Sequence, residues 1–115
     1  MRRLLMETID SFFHPKHPRG CMVVPAATNC TNESGDILDE LAGRRRAAER
    51  MLRERIAAGR AAGEIPADTD IDALAGTIAT TLYGLSIKAR DGASRASLRR
   101  IVEQTMRMWP RPRSA

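Results

Sequence analysis

The amino-acid sequence predicts an all-α fold, a five-helix bundle formed by a single domain of 115 residues. Aromatic residues make up only 3% of the chain, and Ala, Leu, Ile and Met supply most of its apolar content. Strands favour β-branched and aromatic residues, and the Val and Thr present here form no alternating runs. Apolar residues instead recur three and four positions apart, which is the spacing of a buried helix face. A chain of this length can also bury a hydrophobic core.

The first two predicted helices lie on either side of a proline-rich break. Apolar residues at helical spacing predict an amphipathic helix over residues 2–13, which the prolines of residues 14–20 end. Residues 21–30 are almost wholly apolar or small, so a buried helix is expected there, although periodicity alone also allows a buried strand. Pro25 should kink this helix and leave the Cys21 carbonyl without its usual donor.

The third predicted helix is the longest and is capped by Thr31, Asn32 or Ser34. It runs to about Ala62, and Gly63 is expected to end it. Its arginines alternate with glutamates and are spaced for contacts one turn apart, for example along Arg46, Arg50 and Glu54. Its predicted buried stripe consists of Ile37, Leu38, Leu41, Ala48, Leu52 and Ile56.

The fourth predicted helix, over residues 71–90, carries two different apolar series. Asp70 is expected to cap it, and Ser94 to cap the last helix, which ends near Trp109. Steps of four and three along the fourth helix resemble a coiled-coil seam, and a second series of small residues runs beside that seam. Glycine in a helix costs about 1 kcal/mol relative to Ala, so these glycines indicate close approach of another helix. The seam is Ile71, Ala75, Ile78, Leu82, Leu85 and Ala89, and the small series is Gly76, Thr80 and Gly84.

The net charge of the chain is +5, and its isoelectric point is near 10.2. Such a basic balance is typical of proteins that bind nucleic acid or an anionic membrane. The interleaved glutamates weaken that interpretation, and part of the excess lies in the tail, from Arg107 to Arg113. No apolar run is long enough to cross a bilayer, and no signal-peptide cleavage site follows the N-terminal residues. We therefore expect a cytoplasmic protein without a membrane partner.

Patterns that carry catalysis or bind metals are missing from the sequence. There is no G-x-S-x-G, phosphate-binding glycine loop, Cys-x-x-Cys or H-E-x-x-H, so neither an enzyme nor a cofactor is expected. His14 and His17 form an H-x-x-H pattern near Cys21, but the flanking prolines prevent the helical geometry that such ligand pairs use. On one helix, Cys21 and Cys30 would lie about 13 Å apart on opposite faces, too far for a disulfide.

Several stretches, taken in their order and spacing, point to a known family. They are PRGCMVV and AATNC in residues 18–30, RAAGEIPADTD in residues 60–70, and YGLSIKARDGASR in residues 83–95. Together with the helix that follows, they resemble the C-terminal domain of tetracycline-repressor (TetR) family regulators over nearly all of residues 15–109. Members of that family join an N-terminal helix-turn-helix to this helical domain. The helical domain dimerises through its last two helices and binds small, often apolar, effectors between the earlier ones.

The resemblance implies two sets of site residues. The last two helices would form a four-helix bundle with those of a second copy, in agreement with the seam and the small series. The implied dimer interface is Ile71, Leu74, Ile78, Thr80, Leu82, Gly84, Leu85, Leu98, Ile101, Val102, Thr105 and Trp109. The implied pocket for an apolar effector is lined by Phe12, Phe13, Met22, Pro25, Asn29, Met51 and Arg55.

The sequence thus predicts the effector-sensing and dimerisation domain of a TetR-like repressor, forming a homodimer. The 115 residues contain no helix-turn-helix pattern, so sequence-specific DNA binding by this chain is not expected. Two alternatives remain open. The chain could be a stand-alone dimerisation protein that titrates a full-length partner. It could also bind nucleic acid through the face that runs from Arg44 to Arg55, which would require steeply salt-dependent binding.

Overall fold

The computed structural model describes residues 1–15 and 35–112, and within these ranges it contains four α-helices and no strand. The predicted all-α fold is confirmed for these residues. The number of helices in them is four, not five, and the remaining predicted helix, over residues 21–30, lies outside the described residues. The helices are α1 (Arg2–Phe12), α2 (Gly35–Ala61), α3 (Ile71–Arg90) and α4 (Arg95–Arg107).

Capping residues set the ends of α3 and α4 as the sequence predicts. The Asp70 side chain accepts a hydrogen bond from the Ala73 N–H at 3.0 Å, and the Ser94 hydroxyl accepts one from the Ser97 N–H at 3.0 Å. Each cap satisfies one of the backbone donors that a helix start leaves without a partner. Asp70 and Ser94 are therefore confirmed as helix caps.

Gly63 ends α2, also as predicted. Its φ of +77° lies in the left-handed region, where a side chain would be strained. The Glu64 N–H then reaches back to the Gly59 carbonyl at 2.9 Å, which satisfies a carbonyl of the last helical turn. The chain reverses here and enters the connector to α3.

The centre of the bundle is α3, which packs against each of the other three helices, while α1 packs mainly on α4. The apolar side chains between these helices form one hydrophobic core. The core consists of Leu5, Ile9, Phe12, Leu52, Ile56, Ile65, Ala75, Ile78, Ala79, Leu85, Ala89, Leu98 and Val102.

The described ranges contain no helix with the length and hydropathy of a membrane span.

The predicted seam of α3 faces this core. Ala75, Ile78, Leu85 and Ala89 are each at most 4% exposed within the single chain. Their spacing of four and three therefore follows from packing inside the chain and does not require a second chain. The spacing identifies residues that share a helix face, but it does not identify the helix that covers that face.

The predicted buried stripe of α2 is correct only toward its C-terminal end. Leu52 and Ile56 are buried, Leu38 and Leu41 are half-buried, Ala48 is exposed, and Ile37 is 52% exposed. Among the described helices, α2 packs against α3 alone. The apolar period of α2 therefore identifies one helix face, but full burial is limited to the C-terminal part of that face.

Candidate functional site

The residues expected at the dimer interface fall into two groups in the structure. Ile78, Leu85, Leu98 and Val102 are at most 2% exposed, so their side chains are already enclosed within one chain. These four position α3 and α4 but present almost no surface to a partner. Thr105 is also buried, Thr80 and Gly84 are exposed, and the rest are half-buried: Ile71, Leu74, Leu82, Ile101 and Trp109.

One side of α3 stays uncovered along its length, and we call it the α3 open face: Ala73, Thr77, Thr80, Gly84 and Ile87. All five are exposed, and a Cβ built on Gly84 would meet no atom within 4 Å. The Thr77 hydroxyl donates to the Ala73 carbonyl at 2.8 Å. That donor is satisfied within its own helix, and the face combines four small residues with the larger Ile87.

The α3 open face was identified only in part from the sequence. Thr80 and Gly84 were expected there, but Ala73, Thr77 and Ile87 were not. Their spacing of four, three, four and three is itself helical, and this pattern would have revealed the whole face. The small series predicted from the sequence instead includes Gly76, which lines the cleft between α2 and α3.

The last helix, α4, carries an apolar strip of its own. Ile101 is half-buried and Met108 is 69% exposed, and the two lie seven positions apart on the same side of the helix. Arg100 and Gln104 flank them, so the strip is apolar with a polar border. This arrangement of apolar centre and polar rim is common where two proteins associate.

The described residues expected around an effector lie at the C-terminal end of α1 and on α2, two helices that do not pack against each other. Phe12 is a core residue and is 4% exposed. Phe13 is half-buried, and the Cζ of Arg95 lies over its ring, 5.3 Å from the ring centre. Met51, on α2, is 72% exposed. Met22, Pro25 and Asn29 lie outside the described residues.

Arg55 lines a cleft of about 380 Å³ at the C-terminal end of α2. Ile56, Ile65 and Trp109 form its apolar wall, and Glu64 provides a carboxylate. Of the pocket residues predicted from the sequence that the structure describes, Arg55 alone contributes to this cleft. The cleft therefore overlaps the predicted pocket at one residue.

A second cleft, of about 320 Å³, lies between α2 and α3 and was not predicted. Its walls carry both arginines and carboxylates: Arg53 Nε lies 2.7 Å from Asp72 Oδ1, and Glu49 Oε1 accepts a hydrogen bond from the Tyr83 hydroxyl at 3.1 Å. The contacts expected along Arg46, Arg50 and Glu54 do not form as ion pairs in the described residues. The lining residues are Arg46, Glu49, Arg50, Arg53, Asp72, Ala75 and Gly76.

Polar links also hold α1 on α4. Arg2 donates to Glu103 at 2.9 Å, and Arg99 donates to Asp10 at 3.0 Å. The hydrogen bond from Arg2 holds the pKa of Glu103 below its ordinary value and raises the pKa of Arg2. These carboxylates serve as structural partners. Across residues 1–15 and 35–112, no three His, Cys, Asp or Glu side chains are placed to hold a metal ion.

The sequence of this chain matches a known family over most of its length. The family described as "Tetracyclin repressor-like, C-terminal domain" matches residues 1–105. This chain belongs to that family. The HTH-type transcriptional repressor ComR of Escherichia coli (strain K12) is 38% identical over 93 residues, which are 81% of this chain and 44% of ComR.

Solved structures of TetR-family regulators share the fold. A cysteine mutant of the regulator CifR, in complex with 26-bp double-strand operator DNA and apo-CifR, is 43% identical with a TM-score of 0.89 over 95% of this chain and 57% of CifR. A second CifR mutant complex is 42% identical to this chain, with a TM-score of 0.90 over the same shares of the two chains. A putative TetR regulator from Rhodococcus sp. RHA1 is 30% identical, with a TM-score of 0.77 over 96% of this chain and 58% of that protein. The chain spans about half the length of these relatives.

Proposed function

We propose that this chain is the dimerisation and effector-sensing domain of a cytoplasmic TetR-type transcriptional repressor. Membership of the family carries this proposal, because the matched domain is by description the C-terminal part of tetracycline-repressor-like proteins. ComR is named a repressor, and CifR has been solved with operator DNA. Both relatives favour a regulator over a stand-alone dimerisation protein.

The α3 open face supports the proposed homodimer. Small side chains let two helices approach closely, and the hydrogen bond of the Thr77 hydroxyl within its own helix lowers the cost of burying that hydroxyl. Together with Ile101 and Met108 of α4 it offers a surface that two copies can share by two-fold symmetry. A stable dimer of this kind buries more than about 1,200 Å² in total.

Light scattering at micromolar concentration tests the dimer. The wild-type chain is expected to be a dimer, and Gly84→Leu is expected to be a monomer because leucine separates the facing helices. Gly43→Leu is the matched control, since Gly43 lies on α2 and an added Cβ meets only the end of the Arg46 side chain, at 3.8 Å. A monomeric wild-type chain contradicts the proposal, and a dimeric Gly84→Leu places Gly84 outside the interface.

The effector is proposed to be a small apolar compound bound on the side of α2 that carries Met51 and Arg55. Flexible methionine side chains suit an apolar guest of loosely defined shape. The cleft beside Arg55, at about 380 Å³, falls within the range of small-molecule sites. We expect Phe13, Met22, Pro25 and Asn29 to line the rest of this pocket. Phe12, which is buried in the core, is expected to support the pocket wall from behind.

A thermal-shift screen of aromatic and amphipathic compounds tests effector binding. A compound present at one hundred times its dissociation constant stabilises the fold by about 2.7 kcal/mol, which is several degrees of melting temperature. Met22→Trp should reduce the shift by filling the predicted pocket, whereas Arg3→Gln, on the exposed side of α1, should not. Compounds that stabilise the wild type and Met22→Trp equally bind elsewhere.

A further inference from the structure

The C-terminal two-thirds of α2 is rich in arginine. Between residues 44 and 60, α2 carries seven arginines and two glutamates, whereas its other three carboxylates lie in its first turns, over residues 36–40. Three of these arginines, Arg46, Arg50 and Arg53, line the cleft between α2 and α3. Their spacing of four and three residues places their side chains on the same face of α2.

Two of the three cations have no acidic partner in the described structure. Arg53 pairs with Asp72 across the cleft at 2.7 Å, but neither Arg46 nor Arg50 forms an ion pair or a side-chain hydrogen bond with a described residue. Like charges one turn apart on a helix repel each other weakly when they are exposed, as Arg46 and Arg50 are. An anion bound between them would remove this repulsion.

The two carboxylates of the cleft are already engaged. Asp72 accepts the Arg53 ion pair, and Glu49 accepts a hydrogen bond from the Tyr83 hydroxyl at 3.1 Å. Three guanidinium groups thus face two carboxylates, and the excess positive charge lies on the α2 side. Beyond Asp72, the α3 side of the cleft consists of the small residues Ala75 and Gly76, and a Cβ built on Gly76 would meet no atom within 4 Å.

We propose that this cleft binds a small organic anion, with its carboxylate or phosphate group between Arg46 and Arg50 and its apolar body against Ala75 and Gly76. Guanidinium groups recognise both kinds of oxyanion through charge-assisted hydrogen bonds. The cleft volume of about 320 Å³ holds a compound of this size. This site is separate from the apolar effector site proposed above, since it lies on the α2 face that contacts α3.

A small anion fits the cleft better than a nucleic acid. Backbone phosphates of DNA or RNA are bound by series of cations along an exposed surface. Here Glu49 and Asp72 stand beside the arginines, and Ala75 and Gly76 of α3 also line the cleft. A polymer would meet these carboxylates, whereas one small oxyanion can contact Arg46 and Arg50 alone.

The test is a titration of the full 115-residue chain with benzoate, phenyl phosphate and neutral benzamide, followed by amide NMR shifts and calorimetry in low salt. We expect both anions to shift the Gly76 and Ala75 amides and to bind more weakly as salt rises. Benzamide, which has the shape of benzoate without its charge, should not bind. Arg50→Gln should weaken anion binding about tenfold, the loss expected for one charged hydrogen bond.

Two charge-matched control variants separate an effect at the cleft from a general effect of net charge. Arg3→Gln removes an exposed arginine on α1 and should leave the affinity unchanged. Asp72→Asn should strengthen binding several-fold because it releases Arg53 to the anion, whereas Asp91→Asn, at the other end of α3, should not. Equal binding of benzamide, or equal weakening by Arg50→Gln and Arg3→Gln, would overturn the proposal. So would duplex DNA that competes with benzoate at the cleft with higher affinity.

Discussion

Arg2 and Glu103 join the first helix of the described structure to the last: the Arg2 Nε donates a hydrogen bond to Glu103 Oε1 at 2.9 Å across 101 positions of sequence. Asp10 and Arg99 make a second link of the same kind near the other end of α1. Between them, Leu5 and Ile9 are fully buried against the bundle. The core thus fixes the face that α1 presents, and the two polar links fix its register along α4.

The Arg2–Glu103 link predicts an acid sensitivity in the stability of the fold. The hydrogen bond from Arg2 lowers the pKa of Glu103, so this contribution is present above the unfolded-state value near 4.5 and is lost as pH falls through the lowered pKa. Glu103→Gln should therefore reduce the loss of melting temperature below pH 4.5. Both groups are solvent-exposed, and the effect should shrink at high salt.

Glu7→Gln is the control for this measurement. Glu7 pairs with Arg3 within α1 at 2.9 Å, so its substitution removes the same charge without breaking a link between helices. Melting curves recorded from pH 7 to pH 3 should follow the wild type more closely for Glu7→Gln than for Glu103→Gln. Identical curves for the two variants would show that the Arg2–Glu103 link contributes nothing measurable.

Leu98 provides a test of whether a predicted interface residue belongs to the fold itself. It is fully buried within one chain, so Leu98→Ala should lower the free energy of unfolding by about 2–5 kcal/mol, even at dilutions where the chain is monomeric. Met108→Ala, on the same helix but 69% exposed, should change it by less than about 0.5 kcal/mol in the monomer. Denaturant unfolding at two protein concentrations measures both. An equally small loss for Leu98→Ala would contradict its place in the core.

Local rules explain which parts of the fold could be predicted from the sequence. The caps Asp70 and Ser94 and the stop at Gly63 depend on a few neighbouring residues, and all three are confirmed. The partner of each apolar face is not local information. Ile78 and Leu85 therefore suggested an intermolecular seam, although they face the chain's own core.

The candidate sites were harder to predict for the same reason. The cleft beside Gly76 depends on how α2 crosses α3, and the pairing of Arg53 with Asp72 joins residues on different helices. Helical spacing places Arg46, Arg50 and Arg53 on one face, but it does not show that α3 presents small residues opposite them. The resemblance to a family supplied the expected pocket, and the packing of the helices was needed to locate the clefts.

The two ends of α3 predict opposite effects of removing an aspartate. Asp70→Ala should cost about 1 kcal/mol of unfolding free energy, because the Ala73 N–H loses its acceptor and the helix N-terminus loses a favourable charge. Asp91 lies at the C-terminal end of the same helix, where the dipole disfavours a negative charge. Asp91→Ala should be neutral or slightly stabilising. Thermal unfolding of both variants checks the prediction, and equal losses would refute the cap.

Gly76 and Gly84 lie on the same helix and distinguish its covered side from its open side. In the single chain, a Cβ at either position meets no atom within 4 Å, so alanine should stabilise the monomer at both by about 0.5–1 kcal/mol through helix propensity. In the proposed dimer, alanine should have different effects at the two positions, because Gly84 belongs to the α3 open face and Gly76 faces the cleft with α2. An added methyl group at Gly84 must be accommodated where the two copies of α3 approach each other. Gly84→Ala should therefore weaken dimerisation in sedimentation experiments, while Gly76→Ala leaves it unchanged. If both variants dimerise as tightly as the wild type, the two chains do not meet closely at Gly84.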